Sequence, residues 1–347
     1  MKKSTAAIVI SAVMCIAGSA FAEDAGNIVS NDVLSVTVPQ EVLDICDIET
    51  DDSSISFYEK ISHESFDGGF VGSISTFENV SDYADIPNYE RGGEIDYSDG
   101  SKLDIALVYP SDVQYDMESE DSTENYNMLR EHFEQIALTI VPAGEGVFVP
   151  QDEIDTTGIY DEILDRLAAD LTDRKDRDEL EADDFSYVYA YTYDLEDTDP
   201  LDETGYAFID VNRDGYKELV IGSVGAPFFY DMYVPVNGEP VHIFTGGERS
   251  SYNLVGTEGS TLYVCNNASG GAAYSEITYS YLQPNEPEPL SQVRFIIDAE
   301  KDEENPWFID YGIEGEEPEK VTEDDWNLRM SNYGETIDPH FVSLSER

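Results

Sequence analysis

The clearest periodicity in the chain lies between residues 121 and 141. Tyr126, Leu129, Phe133, Ile136 and Ile140 recur at steps of three and four, which places one apolar stripe on an α-helix. Asp121 with Glu124 three residues later supplies a capped start, and Pro142 closes the stretch. A second stripe of Ile159, Ile163, Leu164, Leu167 and Leu171 predicts another helix, capped by Thr156 or Thr157. The mixed charge run 173–179 reads as its solvated end. Both stripes read as core faces.

Elsewhere short β-like segments prevail. Segments 55–59, 70–74 and 103–109 read as strands, separated by turn signals at 51–54, 67–69 and 98–100. Further strands are predicted at 185–193, 205–209, 217–223, 228–236, 241–245, 261–265 and 274–282, and a last short helix from Thr322 to Tyr333. Phe185, Tyr187, Tyr189, Tyr191 and Tyr193 alternate with smaller residues, so a strand here would carry all five rings on one face. A packed face is the favoured reading because large exposed apolar patches are rare. The other is a platform for sugar rings. Residues 266–273 read as a small-residue loop, either a plain flexible turn or one that lets a ligand near the backbone. No repeat at fixed spacing occurs.

These elements predict an α+β protein. An N-terminal antiparallel sheet with a packing helix is expected over 41–150, and a β-rich domain with an opening helix over 155–315. Residues 316–347 are expected as a C-terminal helix and tail. Residues 23–40, small and polar, read as a tether.

The first 22 residues change the setting. Lys2 and Lys3, the apolar run from Ala6 to Gly18 and Ala20-Phe-Ala22 form a signal peptide with its cleavage site. Cys15 would suit a lipoprotein, but Met14 stands before it where a small residue is usual. No later segment is apolar for long enough to cross a bilayer. The expected location is therefore extracellular or at the cell surface. Removal of the signal leaves 16 basic against 75 acidic residues, a net charge of −59. Nucleic acid and anionic membranes are excluded as partners, since both need clustered Lys and Arg. Such charge keeps a chain soluble and, as expected here, monomeric. With 41% hydrophobic and 12% aromatic residues, the chain can bury real cores. Cys46 and Cys265 remain after cleavage; export permits a bridge, and two buried thiols is the simpler expectation.

One segment carries chemistry in its spacing: Asp210-Val-Asn-Arg-Asp-Gly-Tyr-Lys-Glu218. Asp210, Asn212 and Asp214 stand at positions one, three and five. Gly215 makes the bend, Tyr216 offers a backbone carbonyl at seven, and Glu218 stands at nine. Side chains on a tightly coiled loop converge at that spacing, and three carboxylates with an amide suit calcium, which takes six to eight oxygens. Position twelve is Ile221, where an EF-hand needs a bidentate Glu, and the flanks are strand-like. The arrangement is β-loop-β. An ion-free Asp/Asn/Gly hairpin turn is the competing reading.

The segment resembles the calcium loops of FG-GAP or VCBS-type repeats, whose pattern D-x-[DN]-x-D-G-x-x-[DE]-L is matched by Asp210, Asn212, Asp214, Gly215, Glu218 and Leu219. The resemblance implies a calcium ion with Glu218 closing the cage. It covers about 20 residues in one copy, where propellers of that family have several. Residues 155–310 also resemble secreted or lipoprotein-type domains of Gram-positive gut bacteria, which implies a setting and no activity.

Other chemistry is sparse. His63-Glu64 begins like a zincin helix, but Asp67 stands where the second His must be. His63, His132, His242 and His340 with two distant Cys give no zinc spacing. No G-x-S-x-G elbow or phosphate loop occurs. Carboxylate pairs for glycoside hydrolysis are too many to single one out. The expected function is a non-catalytic, exported binding or cell-surface module stabilised by calcium, with a glycan or a cell-envelope protein as partner. The alternative is a secreted, polysaccharide-active hydrolase with structural calcium.

Overall fold

The computed structural model describes residues 27–79, 82, 86, 88–195, 198–257 and 262–347. The expected signal peptide lies outside them. The chain divides into two compact units between Ile154 and Asp155.

The first unit opens with β1 (Asn27–Ser30), β2 (Leu34–Val38) and α1 (Gln40–Ile45). Leu34, Val36 and Val38 alternate inward and are buried. This stretch, expected as a tether, therefore belongs to the core. There follow β3 (Cys46–Thr50), β4 (Ser54–Glu59), α2 (Lys60–Phe66), β5 (Phe70–Phe77), β6 (Tyr89–Asp96), β7 (Lys102–Val108), α3 (Glu120–Ala137), β8 (Val141–Pro142) and β9 (Val147–Pro150). β3-β4-β5-β7-β6-β9 make a six-stranded antiparallel sheet, and β8 joins β1 and β2 in a second, small one. Helix α3 is capped by Ser119, whose hydroxyl accepts the Ser122 amide, and it ends at Ala137, ahead of Pro142. Tyr126, Leu129, Phe133 and Ile136 form its buried face. Phe133 meets Phe57 edge-on at 5.6 Å. A Cβ on Gly72 of β5 would lie 2.8 Å from the Phe133 ring, so glycine is what lets the helix close on the sheet.

The second unit begins with a 3-10 turn at Gly158–Tyr160, α4 (Asp161–Thr172), α5 (Arg177–Ala182), a 3-10 stretch at Tyr187–Asp194 and α6 (Pro200–Glu203). Strands then dominate: β10 (Thr204–Ile209), β11 (Glu218–Ser223), β12 (Phe229–Val236), β13 (Glu239–Thr245), β14 (Ser250–Gly256), β15 (Tyr263–Gly271), β16 (Tyr274–Tyr281), β17 (Leu290–Asp298), β18 (Trp307–Asp310) and β19 (Glu319–Lys320). After α7 (Glu323–Met330) come β20 (Glu335–Ile337) and β21 (Val342–Ser343). All join one 12-stranded sheet in the order β19-β18-β17-β16-β15-β14-β12-β11-β10-β21, with β13 on β12 and β20 on β14. β21 pairs β10 at Gly205–Ser343, and β20 pairs β14 at Leu254–Ile337. Residues 316–347, expected as a separate helix and tail, are thus woven into the sheet.

The α+β class expected from the sequence is overturned. The structure is β-rich, 39% strand against 27% helix, with few and short helices beside large antiparallel sheets. Helical stripes are local and easy to read. The joining of so many short strands into one sheet rests on pairings far apart in sequence, which periodicity does not carry.

The strand expected at 185–193 is also overturned, because Tyr187–Asp194 is a 3-10 helix. Ser186 starts it: its amide donates to Asp231 Oδ2, its hydroxyl donates to the Gly246 carbonyl, and Oγ also faces the Val188 amide. The rings therefore do not share a sheet face. Tyr189 is buried and donates to the Ile221 carbonyl. Arg177 lies over Tyr191 at 4.1 Å and Tyr187 at 5.7 Å, and Arg174 over Tyr193 at 5.6 Å. Most of the small-residue stretch at 266–273 is strand β15, with a turn before β16. The charge run 173–179 breaks at Arg174, φ 51°, and restarts as α5 through an Asp176–Glu179 capping box.

Candidate metal centre

The 210–217 loop bridges β10 and β11, whose residues Ile209 and Glu218 pair at its mouth. Two left-handed residues give the coil, Arg213 at φ 63° and Gly215 at φ 82°. A glycine costs nothing there, whereas arginine is strained.

The loop folds its polar side chains inward. Asn212 is 4% exposed, Asp214 1% and Glu218 0%. The loop amides are then answered by these side chains. Gly215 donates to Asp210 Oδ2 at 3.0 Å, Asp214 to Asn212 Oδ1 at 3.0 Å, Tyr216 to Asp214 Oδ1 at 2.8 Å, and Val211 to Glu218 Oε2 at 2.7 Å. Asn212 Nδ2 donates to Asp214 Oδ2. Asp210, Asn212, Asp214, Tyr216 and Glu218, picked out by spacing, therefore share one loop. Tyr216 is half-buried in it.

Two oxygens are left over. Asp210 Oδ1 and Glu218 Oε1 are buried and accept no hydrogen bond. A buried polar atom without a partner is costly, and a buried charge more so. The electrostatics point the same way. Burial pushes the Asp210 carboxyl up to about 6. Burial, then the charges of Asp214 and Asp210, holds Glu218 well above the usual carboxylate range. Tyr160 and Tyr281 are raised too, first by burial and then by loop carboxylates: Glu218 and Asp214 act on Tyr160, Asp214 on Tyr281. A hard divalent cation would complete the two oxygens and offset the repulsion among the carboxylates.

Among the described residues no group of three or more His, Cys, Asp and Glu is arranged to hold a metal outright. The three carboxylates Asp210, Asp214 and Glu218 are thus not drawn together as a finished cage; the other donors that the spacing names are the Asn212 amide and the Tyr216 backbone carbonyl. All of these donors are oxygens, which fits calcium and disfavours zinc.

Supports for the loop come from far away in sequence, and spacing gave no sign of them. Thr156 Oγ1 accepts the Lys217 amide at 3.2 Å, so this residue serves the loop, while α4 has no side-chain cap. The fully buried Tyr160 donates to the Lys217 carbonyl at 2.8 Å. Leu262 donates to the Val211 carbonyl at 2.9 Å.

Among the described residues, the histidine and cysteine sites do not assemble a catalytic relay. His242 Nε2 lies 3.0 Å from Asp231 Oδ1 and 3.1 Å from Thr245 Oγ1. A nucleophilic relay needs the hydroxyl and the carboxylate on opposite ring nitrogens. His63 Nδ1 pairs with Asp47 and its ring stacks on Tyr58. Cys46 and Cys265 are free, buried, and held up at about 12 mainly by burial. Among the described residues no helix is long and apolar enough to cross a membrane.

Compared with family models, curated proteins and solved structures, the chain matches none.

Proposed function

We propose that this chain is an exported, non-catalytic binding or cell-surface module whose second unit is clamped by one calcium ion in the β10–β11 loop. One observation carries the reading: Asp210 Oδ1 and Glu218 Oε1 are buried without partners, in a loop where Asp210 Oδ2, Asn212 Oδ1, Asp214 Oδ1 and Glu218 Oε2 each accept a backbone amide. A plain hairpin turn has no reason to bury two unpaired carboxylate oxygens. A cation turns that liability into a link between neighbouring strands, so its role is structural. The partner, a glycan or a cell-envelope protein, would bind elsewhere. Calorimetric titration with calcium tests the clamp. Stoichiometric binding that Asp214→Ala abolishes supports it, and no heat at any calcium concentration overturns it.

A further inference from the structure

We propose that a groove on the first unit receives a basic side chain of a protein partner, a lysine or arginine carried on a segment with apolar neighbours. The groove encloses about 220 Å³ beside the end of α3. The buried Ile105, Leu107 and Ile140 line it together with the half-buried Glu90 and the exposed Glu134 and Asp152. That is too small for a typical small-molecule pocket of about 300–1,000 Å³, and it suits one long side chain. Buried apolar residues beside exposed carboxylates match the build of lysine and arginine, which bury their stems and keep the charged head near the surface.

The cationic residue of the lining does not argue for an anion. Arg91 lines the groove, but its side chain is 0% exposed and donates to Asp104, Glu94 and Gln151. Its charge is answered from within. Glu134 and Asp152 are exposed, so the field there is negative and favours a cation. Leu138, 65% exposed at the end of α3, also lines the groove and offers the apolar contact beside the cation.

This inference rests on the reading of the chain as a binding module and is independent of the cation loop. The test uses the full chain and a fluorescent synthetic peptide of alternating Lys and Leu, read by anisotropy at physiological salt. Binding is expected, and the triple variant E90Q/E134Q/D152N should weaken it about tenfold. Leu138→Ser should weaken it as well. The control E314Q/E316Q/E317Q removes the same charge from an exposed stretch of the second unit and should leave the affinity unchanged. An unchanged melting temperature shows that each variant is folded. The proposal is overturned if both triples weaken binding equally, since the attraction is then net charge alone. It is also overturned if the groove triple changes nothing, if a Glu-Leu peptide binds equally well, or if the groove is covered by self-association in sedimentation. Loss of calcium binding with peptide binding intact would count against the clamp and not against the groove.

Discussion

The Tyr160 hydroxyl donates to the Lys217 carbonyl at 2.8 Å across 57 residues of sequence, tying the turn before α4 to the end of the 210–217 loop. Tyr160 is fully buried, and its ring lies 5.8 Å from Phe208 on β10. The loop is therefore gripped from outside as well as coiled from within. Tyr160→Phe keeps the ring and removes the grip. It should cost about 1 kcal/mol, roughly 2–4 °C in melting temperature, and should weaken calcium binding measurably. Equal calcium affinity in the variant would show that the grip does not shape the site.

The loop carboxylates make a prediction with a definite sign. Asp210 titrates at about 6 in the folded protein without metal, against about 3.9 in an unfolded chain. The folded state thus holds its proton more tightly, and the contribution favours folding below about pH 4. It is lost as the pH rises toward about 6, and Glu218, also raised by burial and by the charges of Asp214 and Asp210, contributes with the same sign. In chelator, this contribution should make the protein less stable as the pH rises through that window. Calcium bound at the loop would hold the carboxylates ionised, so in saturating calcium this fall should vanish between about pH 4 and 6, and stability should drop instead below about pH 4. Denaturant midpoints at several pH values, with and without calcium, read both slopes.

The first unit has its own sensitive point. Arg91, fully buried, bridges Glu94 and Asp104, and burial raises the Asp104 carboxyl even beside that guanidinium. Arg91→Met would leave Asp104 enclosed without its paired cation, while Glu94 keeps only Lys102. The expected cost is about 3–5 kcal/mol, read as a fall in denaturant midpoint. A near-neutral variant would mean that the acids simply take up protons.

Cys46 and Cys265 belong to different units and are both buried thiols. Neither should react with an alkylating reagent in the native protein, and both should react fully in denaturant. Peptide mass mapping without reductant reads this directly; a linked Cys46–Cys265 peptide would contradict it.

The legible parts of the molecule were those whose signal is local. The stripe from Tyr126 to Ile140 placed α3, and the every-second-residue oxygens from Asp210 to Asp214 placed the loop. What the sequence hid was non-local or ambiguous. Tyr187 to Tyr193 has a strand's alternation, yet Ser186 bonds to Asp231 and Gly246 and turns the chain into a 3-10 helix. Thr156 looked like a helix cap and instead holds Lys217. The pairing of β10 with β21 and of β14 with β20 joins segments too far apart in sequence for any window to span, and with it went the α+β assignment.

The melting temperature at neutral pH in millimolar calcium, compared with excess chelator for the native chain and Asp214→Ala, tests the clamp most directly. A structural clamp predicts a higher melting temperature in calcium, worth about 2.7 kcal/mol at a hundredfold excess over Kd, and no difference in the variant. Superimposable curves for the native chain in calcium and in chelator would contradict it.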